Sequence, residues 1–142
     1  MIKSETMFHV VNSPLNVTED RVRDLIVSAF EGGSNYWIES ITTKIGDGLV
    51  YEDFKEGGRF AVDGEYFPGH ILVPFHPKCS LEIKNQDEEK SFTLNVDSMK
   101  RGLDLMAKNH ANHWSNFVTE DDDADTADVF LQLCLFGEIV YG

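Results

Sequence analysis

Two short runs decide the fold: Ser80-Leu81-Glu82-Ile83-Lys84 and Ser91-Phe92-Thr93-Leu94-Asn95-Val96. In each, apolar and polar residues alternate with period two, the mark of a half-buried strand. The polar run Asn85 to Lys90 joins them as a hairpin, so the sheet is antiparallel. Upstream, Trp37 to Thr43, Arg59 to Val62 and His70 to Phe75 read as further strands, with Gly46-Asp47-Gly48 as a turn. Pro68-Gly69 and His76-Pro77 bracket the last of these and predict an edge position for it. Met7 to Val11 reads as a strand that stops at Asn12-Ser13-Pro14. Between these strand regions, Val22, Leu25, Ile26, Ala29 and Phe30 form one apolar stripe at helical spacing. Thr18 is the N-cap of that helix, and Gly32-Gly33 ends it in a left-handed turn, giving a helix over 18–31. Downstream, Asp97 or Ser98 caps a second helix whose face is Met99, Leu103, Met106 and His110. The acidic run Glu120 to Asp128 opens a third, apolar on most sides through Val129, Phe130, Leu133, Cys134 and Phe136, and Gly137 stops it. Ile139-Val140-Tyr141-Gly142 is expected to close the chain as a short strand. The expectation is a single α+β domain over 1–142. Its sheet is mostly antiparallel, with one N-terminal and two C-terminal helices packed on it.

Composition sets bounds on function. A chain of 142 residues with 42% hydrophobic content can bury a core without metal or disulfide staples. Twelve basic against 25 acidic residues leave a net charge of −13. That disfavours direct binding to a nucleic-acid backbone or to an anionic membrane. No apolar run is long enough to span a bilayer, and Met1 to Val11 lacks the stretch of a secretory signal. Cys79 and Cys134 form no disulfide framework, so a reduced, cytoplasmic setting is expected.

Four features could carry chemistry. In Glu31-Gly32-Gly33-Ser34-Asn35-Tyr36-Trp37, two glycines allow close approach of a ligand. Asn35 would read a base edge there, and Tyr36 or Trp37 would stack on the ring. The plainer alternative is a capping glycine, a turn asparagine and two core aromatics. In Glu56-Gly57-Gly58-Arg59-Phe60, the amides of Gly57 and Gly58 with Arg59 could hold a phosphate, the alternative being a turn with a solvated arginine. The run Glu120-Asp121-Asp122-Asp123 with Asp125 and Asp128 fails as a calcium loop. Counted from Asp121, Thr126 stands where glycine is needed and Gln132 where glutamate is needed. His110 with His113, and His76 with Cys79, share spacings of three, but no motif brings four ligands together for zinc. No nucleophile elbow is present, and Cys134 has no neighbouring base. Neither an enzyme nor a bound cofactor is expected.

The block Phe30-Glu31-Gly32-Gly33-Ser34-Asn35-Tyr36-Trp37 pairs with a C-terminal segment. That segment runs from Ala124 to Gln132 and continues through Phe136-Gly137-Glu138-Ile139-Val140-Tyr141-Gly142. Together they resemble a family of small bacteriophage and prophage proteins, over about the first 40 and last 25 residues. The resemblance implies a phage setting in the cytoplasm of an infected host, where small accessory proteins counter host defence. The leading expectation is a homo-oligomer that sequesters a nucleotide-derived immune signal, a cyclic ADP-ribose relative or a cyclic oligonucleotide. Its site would be Asn35, Tyr36, Trp37, Gly57, Gly58 and Arg59. The alternatives are an acidic inhibitor of a host defence protein, of the anti-CRISPR type, that imitates nucleic acid, a minor virion or assembly protein, or a small phosphodiesterase.

Overall fold

The computed structural model describes residues 7–11, 15–62, 68–87 and 90–142. The expected stop at Asn12-Ser13-Pro14 and residues 88–89 of the expected hairpin turn lie outside them. The chain order is β1 (Met7–Val11), β2 (Leu15–Thr18), α1 (Glu19–Ser28), β3 (Ile38–Lys44), α2 (Gly69–Leu72), β4 (Ser80–Asn85), β5 (Ser91–Leu94), α3 (Val96–Asn109), α4 (Ala111–Val118) and α5 (Ala124–Phe136). This is the α+β class, with three helices rather than two after the sheet.

The predicted hairpin is the core of the sheet. β4 lies centrally, antiparallel to β3 on one side and to β5 on the other. Ile83 faces Ile41 and Phe92, and Leu81 faces Thr43 and Leu94. Leu81, Ile83 and Leu94 are fully buried, so this face carries the helical layer. On the opposite face Glu82 accepts a hydrogen bond from Thr93, and Lys84 pairs with Glu39. β1 and β2 form a separate antiparallel hairpin against α1 and α3.

α5 is the central helix. Every residue from Thr126 to Leu135 is buried, which is why its sequence lacks a polar stripe. It packs on α1, α3, α4 and β5. Asp123 caps its first turn by accepting the Thr126 N–H at 2.9 Å. Gly137 ends it with φ 75°, a conformation only glycine adopts at little cost. α3 is capped by a reciprocal pair: the Asn95 side chain accepts from the Ser98 N–H, and Ser98 Oγ accepts from the Asn95 N–H. Where α3 crosses α5, Gly102 lies directly against Cys134.

Several expectations are corrected. His70 to Phe75 is helical: α2 covers Gly69–Leu72, and a 3-10 turn covers Val73–Phe75. Ile71, Leu72 and Val73 are all buried, which a turn of helix achieves and an alternating strand does not. Pro68 and Pro74 sit at the starts of these two turns, where a missing N–H costs nothing. Arg59 to Val62 is not a strand either. It folds back on a 3-10 turn at Tyr51–Phe54, with the Phe60 N–H donating to the Asp53 carbonyl. α1 ends in a π-turn over Ala29–Gly33, closed by the Ser34 N–H on the Ala29 carbonyl, rather than in a left-handed glycine. The tail 139–142 is not a strand.

A Cβ at Gly102 would collide with Cys134 Sγ and crowd the Cys134 backbone. Gly102→Ala should therefore lower stability by about 1–3 kcal/mol. Cys134→Ala in the same chain should restore part of the loss. Urea denaturation of the single and double variants checks both, and the coupling is the diagnostic quantity.

Candidate functional site

The glycine-aromatic block and the C-terminal segment meet around one buried side chain, Asp128 of α5, which is 8% exposed. Ser34 Oγ donates to Asp128 Oδ1 at 2.8 Å, and the Trp37 indole N–H donates to the same oxygen at 2.8 Å. The Tyr36 hydroxyl donates to Oδ2 at 2.6 Å, and Gln132 Nε2, one turn along α5, donates to it at 3.1 Å. No cation meets Asp128 among the described residues. Hydrogen bonds replace the water that burial removes.

Gly33 makes the arrangement sterically possible. A Cβ there would strike the Ala124 carbonyl at the start of α5. Ser34 is wholly buried at the end of the π-turn, and its carbonyl accepts the N–H groups of Trp37 and Ile38. That tight turn presents residues 34, 36 and 37 to one carboxylate.

Gln132 extends the cluster to the tail. Its Oε1 accepts the N–H groups of Val140 and Tyr141, each at 2.8 Å, and its Nε2 donates to the Tyr141 carbonyl at 3.1 Å. The side-chain amide thus pairs with the backbone as a neighbouring strand would, and it holds the tail at Val140 and Tyr141 against α5. Tyr141 is stacked on Trp37 with ring centroids 5.4 Å apart and planes 1° apart, and Phe136 lies 5.3 Å from Trp37.

These contacts decide the role of each expected ligand-binding residue. Trp37 is 2% exposed, and its ring is occupied by Tyr141, Phe136 and Asp128, so it offers no face to a guest. Asn35 is exposed, and Tyr36 is 52% exposed with its hydroxyl committed to Asp128. Burial of that hydroxyl, then its hydrogen bond to Asp128 and the charge there, push the Tyr36 pKa up to about 12.

The second glycine pair lies elsewhere. Gly57 has φ 83°, and a Cβ at Gly58 would strike the Glu52 and Asp53 carbonyls, so both glycines serve the turn. Arg59 donates two hydrogen bonds to the Asp53 carboxylate, at 3.0 and 2.7 Å, and a third to the Gly48 carbonyl. That guanidinium, then the Val50 N–H, holds the Asp53 pKa below the usual carboxylate range. Trp37 precedes β3, while Gly48 follows its far end. Seven strand residues at roughly 3.3 Å each put about 20 Å between them, so the six expected residues do not form one site.

Three of the five histidines are likewise engaged, and both cysteines are buried. His9 pairs with Asp104, His113 with Thr126, and His76 Nδ1 accepts the Lys78 N–H. Cys79 is buried against Gly46, and burial raises the Cys134 thiol pKa far above its usual value. Among the described residues no group of three or more such side chains could hold a metal ion, and no helix is long and apolar enough to cross a membrane.

Charge is distributed unevenly. All four arginines are engaged within the chain. Arg21 reaches Asp122 and the Phe117 carbonyl, Arg23 reaches Asp20, Arg59 reaches Asp53 and Arg101 reaches the Cys134 carbonyl. At the corner between α4 and α5, the residues Glu120, Asp121, Asp123 and Asp125 are exposed, with Glu120 held at φ 58°. Comparison of the chain with protein-family models, with curated proteins and with solved structures yields no match.

Asp128→Ala would strand the buried donors of Ser34, Trp37 and Gln132, at about 1–3 kcal/mol each. A loss of about 3 kcal/mol or more in urea denaturation is expected, with a smaller loss for Asp128→Asn, which keeps one acceptor oxygen. Tyr36 titrates higher when folded than unfolded, so the folded state holds its proton more tightly. Its contribution to stability is complete below pH 10 and is lost as pH rises towards about 12. Tyr36→Phe should remove that component of the alkaline stability profile, followed by tyrosinate absorbance and denaturant midpoints.

Proposed function

We propose that this chain is a non-catalytic acidic binding protein that docks on a cationic surface of another protein, in place of nucleic acid. The observation that carries this reading is the engagement of every guanidinium inside a chain of net charge −13, beside a corner of exposed carboxylates. A phosphate ligand needs free guanidinium or ammonium groups in a locally positive site. Here the bidentate donor Arg59 is already spent on Asp53. A basic partner needs the reverse, a rigid negative surface, and the corner is held firmly. Asp123 caps α5, Asp122 binds Arg21, and the Asp121 N–H donates to the Asn116 carbonyl. In the phage setting implied by the resemblance, the partner is a host defence nuclease whose nucleic-acid channel is basic. Capture of a nucleotide signal by Asn35, Tyr36, Trp37, Gly57, Gly58 and Arg59 is not the reading we retain.

The test is competition. Labelled DNA or RNA bound to purified host defence nucleases is titrated with the protein, and displacement is followed by fluorescence anisotropy. We expect displacement from at least one nuclease, weakening steeply with added salt. The triple variant Glu120→Gln, Asp121→Asn, Asp125→Asn should lose about tenfold in affinity with its fold intact. Displacement that ignores salt, or that the triple variant retains in full, would refute the proposal.

A further inference from the structure

A second feature lies away from the acidic corner. Between β3 and α2 is a cleft of about 330 Å³, lined by Ile41, Thr43, Tyr51 and His70. It exists because β3 is an edge strand: Ile41 and Thr43 share the inner face with Ile83 and Leu81 but are only half-buried. Two aromatic rings project from the other side, and both are held. Gly69 leaves room for the Tyr51 phenol, since a Cβ there would lie 2.8 Å from Tyr51 Cζ and 2.9 Å from its hydroxyl oxygen. The His70 ring is stacked on Phe30, with centroids 6.0 Å apart and planes 27° apart.

The polar tips in this cleft share one character. Each hydroxyl, on Thr43 and Tyr51, is both donor and acceptor. Burial lowers the His70 pKa, so at neutral pH its imidazole carries one donor and one acceptor nitrogen. Among the described residues none of the three makes a hydrogen bond. Rings held on fixed supports, with unengaged donor-acceptor tips beside an aliphatic floor, suit a flat molecule whose edge carries both N–H and acceptor groups. The volume is at the small end of the range for ligand pockets, roughly 300–1,000 Å³. One cation, Lys55 Nζ, lies 5.6 Å from the Tyr51 ring centroid, and beyond it the net charge of −13 works against an anion there.

We propose that this cleft binds a small, uncharged heteroaromatic molecule of the nucleobase class. Its ring lies against His70 and Tyr51, and its polar edge lies on the Thr43 and Tyr51 hydroxyls and the His70 imidazole. The site is independent of the acidic corner and does not require the function proposed above.

The experiment is an NMR titration of the isotope-labelled full chain with adenine, adenosine and adenosine monophosphate in parallel. Adenine or adenosine should shift the amide resonances of residues 41–43, 51 and 69–71, with Kd about millimolar or tighter. Thr43→Val with Tyr51→Phe removes two hydroxyls at nearly constant shape and should weaken binding about tenfold. The unchanged thermal melt of that double variant would show that its fold is retained. His70→Phe keeps a ring on Phe30 and should weaken binding similarly, which gives a second variant if the first is unstable. No shifts at these positions, shifts confined to other surfaces, equal binding by the variants, or tighter binding of the monophosphate would each overturn the proposal.

Discussion

Asp128 is the point through which the glycine-aromatic block and the C-terminal segment are joined. A buried carboxylate that meets no cation among the described residues is stable only where donors surround it, and here they come from Ser34, Tyr36, Trp37 and Gln132. Each donor constrains a different part of the fold. Ser34 fixes the exit of the π-turn, Trp37 fixes the entry to β3, and Gln132 passes the constraint to the tail through three backbone hydrogen bonds. Gly33 has no Cβ because the π-turn must touch the first residue of α5 for the carboxylate to be reached. The glycine-aromatic block and the C-terminal segment are therefore one physical unit, separated in sequence by the sheet.

That unit also explains which parts of the fold could be read from sequence. α1, α3 and the β4–β5 hairpin follow from periodicity, because each buries a regular face, whereas α5 follows from an all-round apolar run between an acidic start and Gly137. The run Ile71-Leu72-Val73 has no period, and a short apolar run fits a strand or a helical turn equally well. α4 is eight residues long, and of its side chains only Phe117 is fully buried, so its pattern is overwhelmed by the asparagines and histidines around it. Asp128 was hidden among 25 acids. The available signal was indirect: a tryptophan heading into the core must find an acceptor for its indole N–H. Nothing in the spacing of residues 37 and 128 names the partner.

The same physics separates packing from function in the candidate residues. Glycine pairs and adjacent aromatics suit a ligand pocket and a tight internal junction equally, because both require close approach. What distinguishes them is whether the aromatic faces are already filled. Trp37 is covered by Tyr141 and Phe136, so the block contributes order to the fold. At Gly57-Gly58-Arg59 the decision is electrostatic. A bidentate carboxylate already holds the guanidinium in the geometry that a phosphate would use.

With the guanidinium groups spent on the fold, the remaining chemistry divides by charge. Internal pairing with Asp20, Asp53 and Asp122 neutralises three arginines, Arg59 at the surface among them, and it leaves the surplus of carboxylates facing solvent. Such a surface acts at long range, steering towards a positive partner and fading with salt. The cleft beside β3 acts only at contact, through ring faces and neutral hydroxyls. Because its recognition groups carry no charge, the negative field that favours one kind of encounter costs the other almost nothing. An acidic chain of this size can therefore carry both surfaces without either compromising the packing around Asp128.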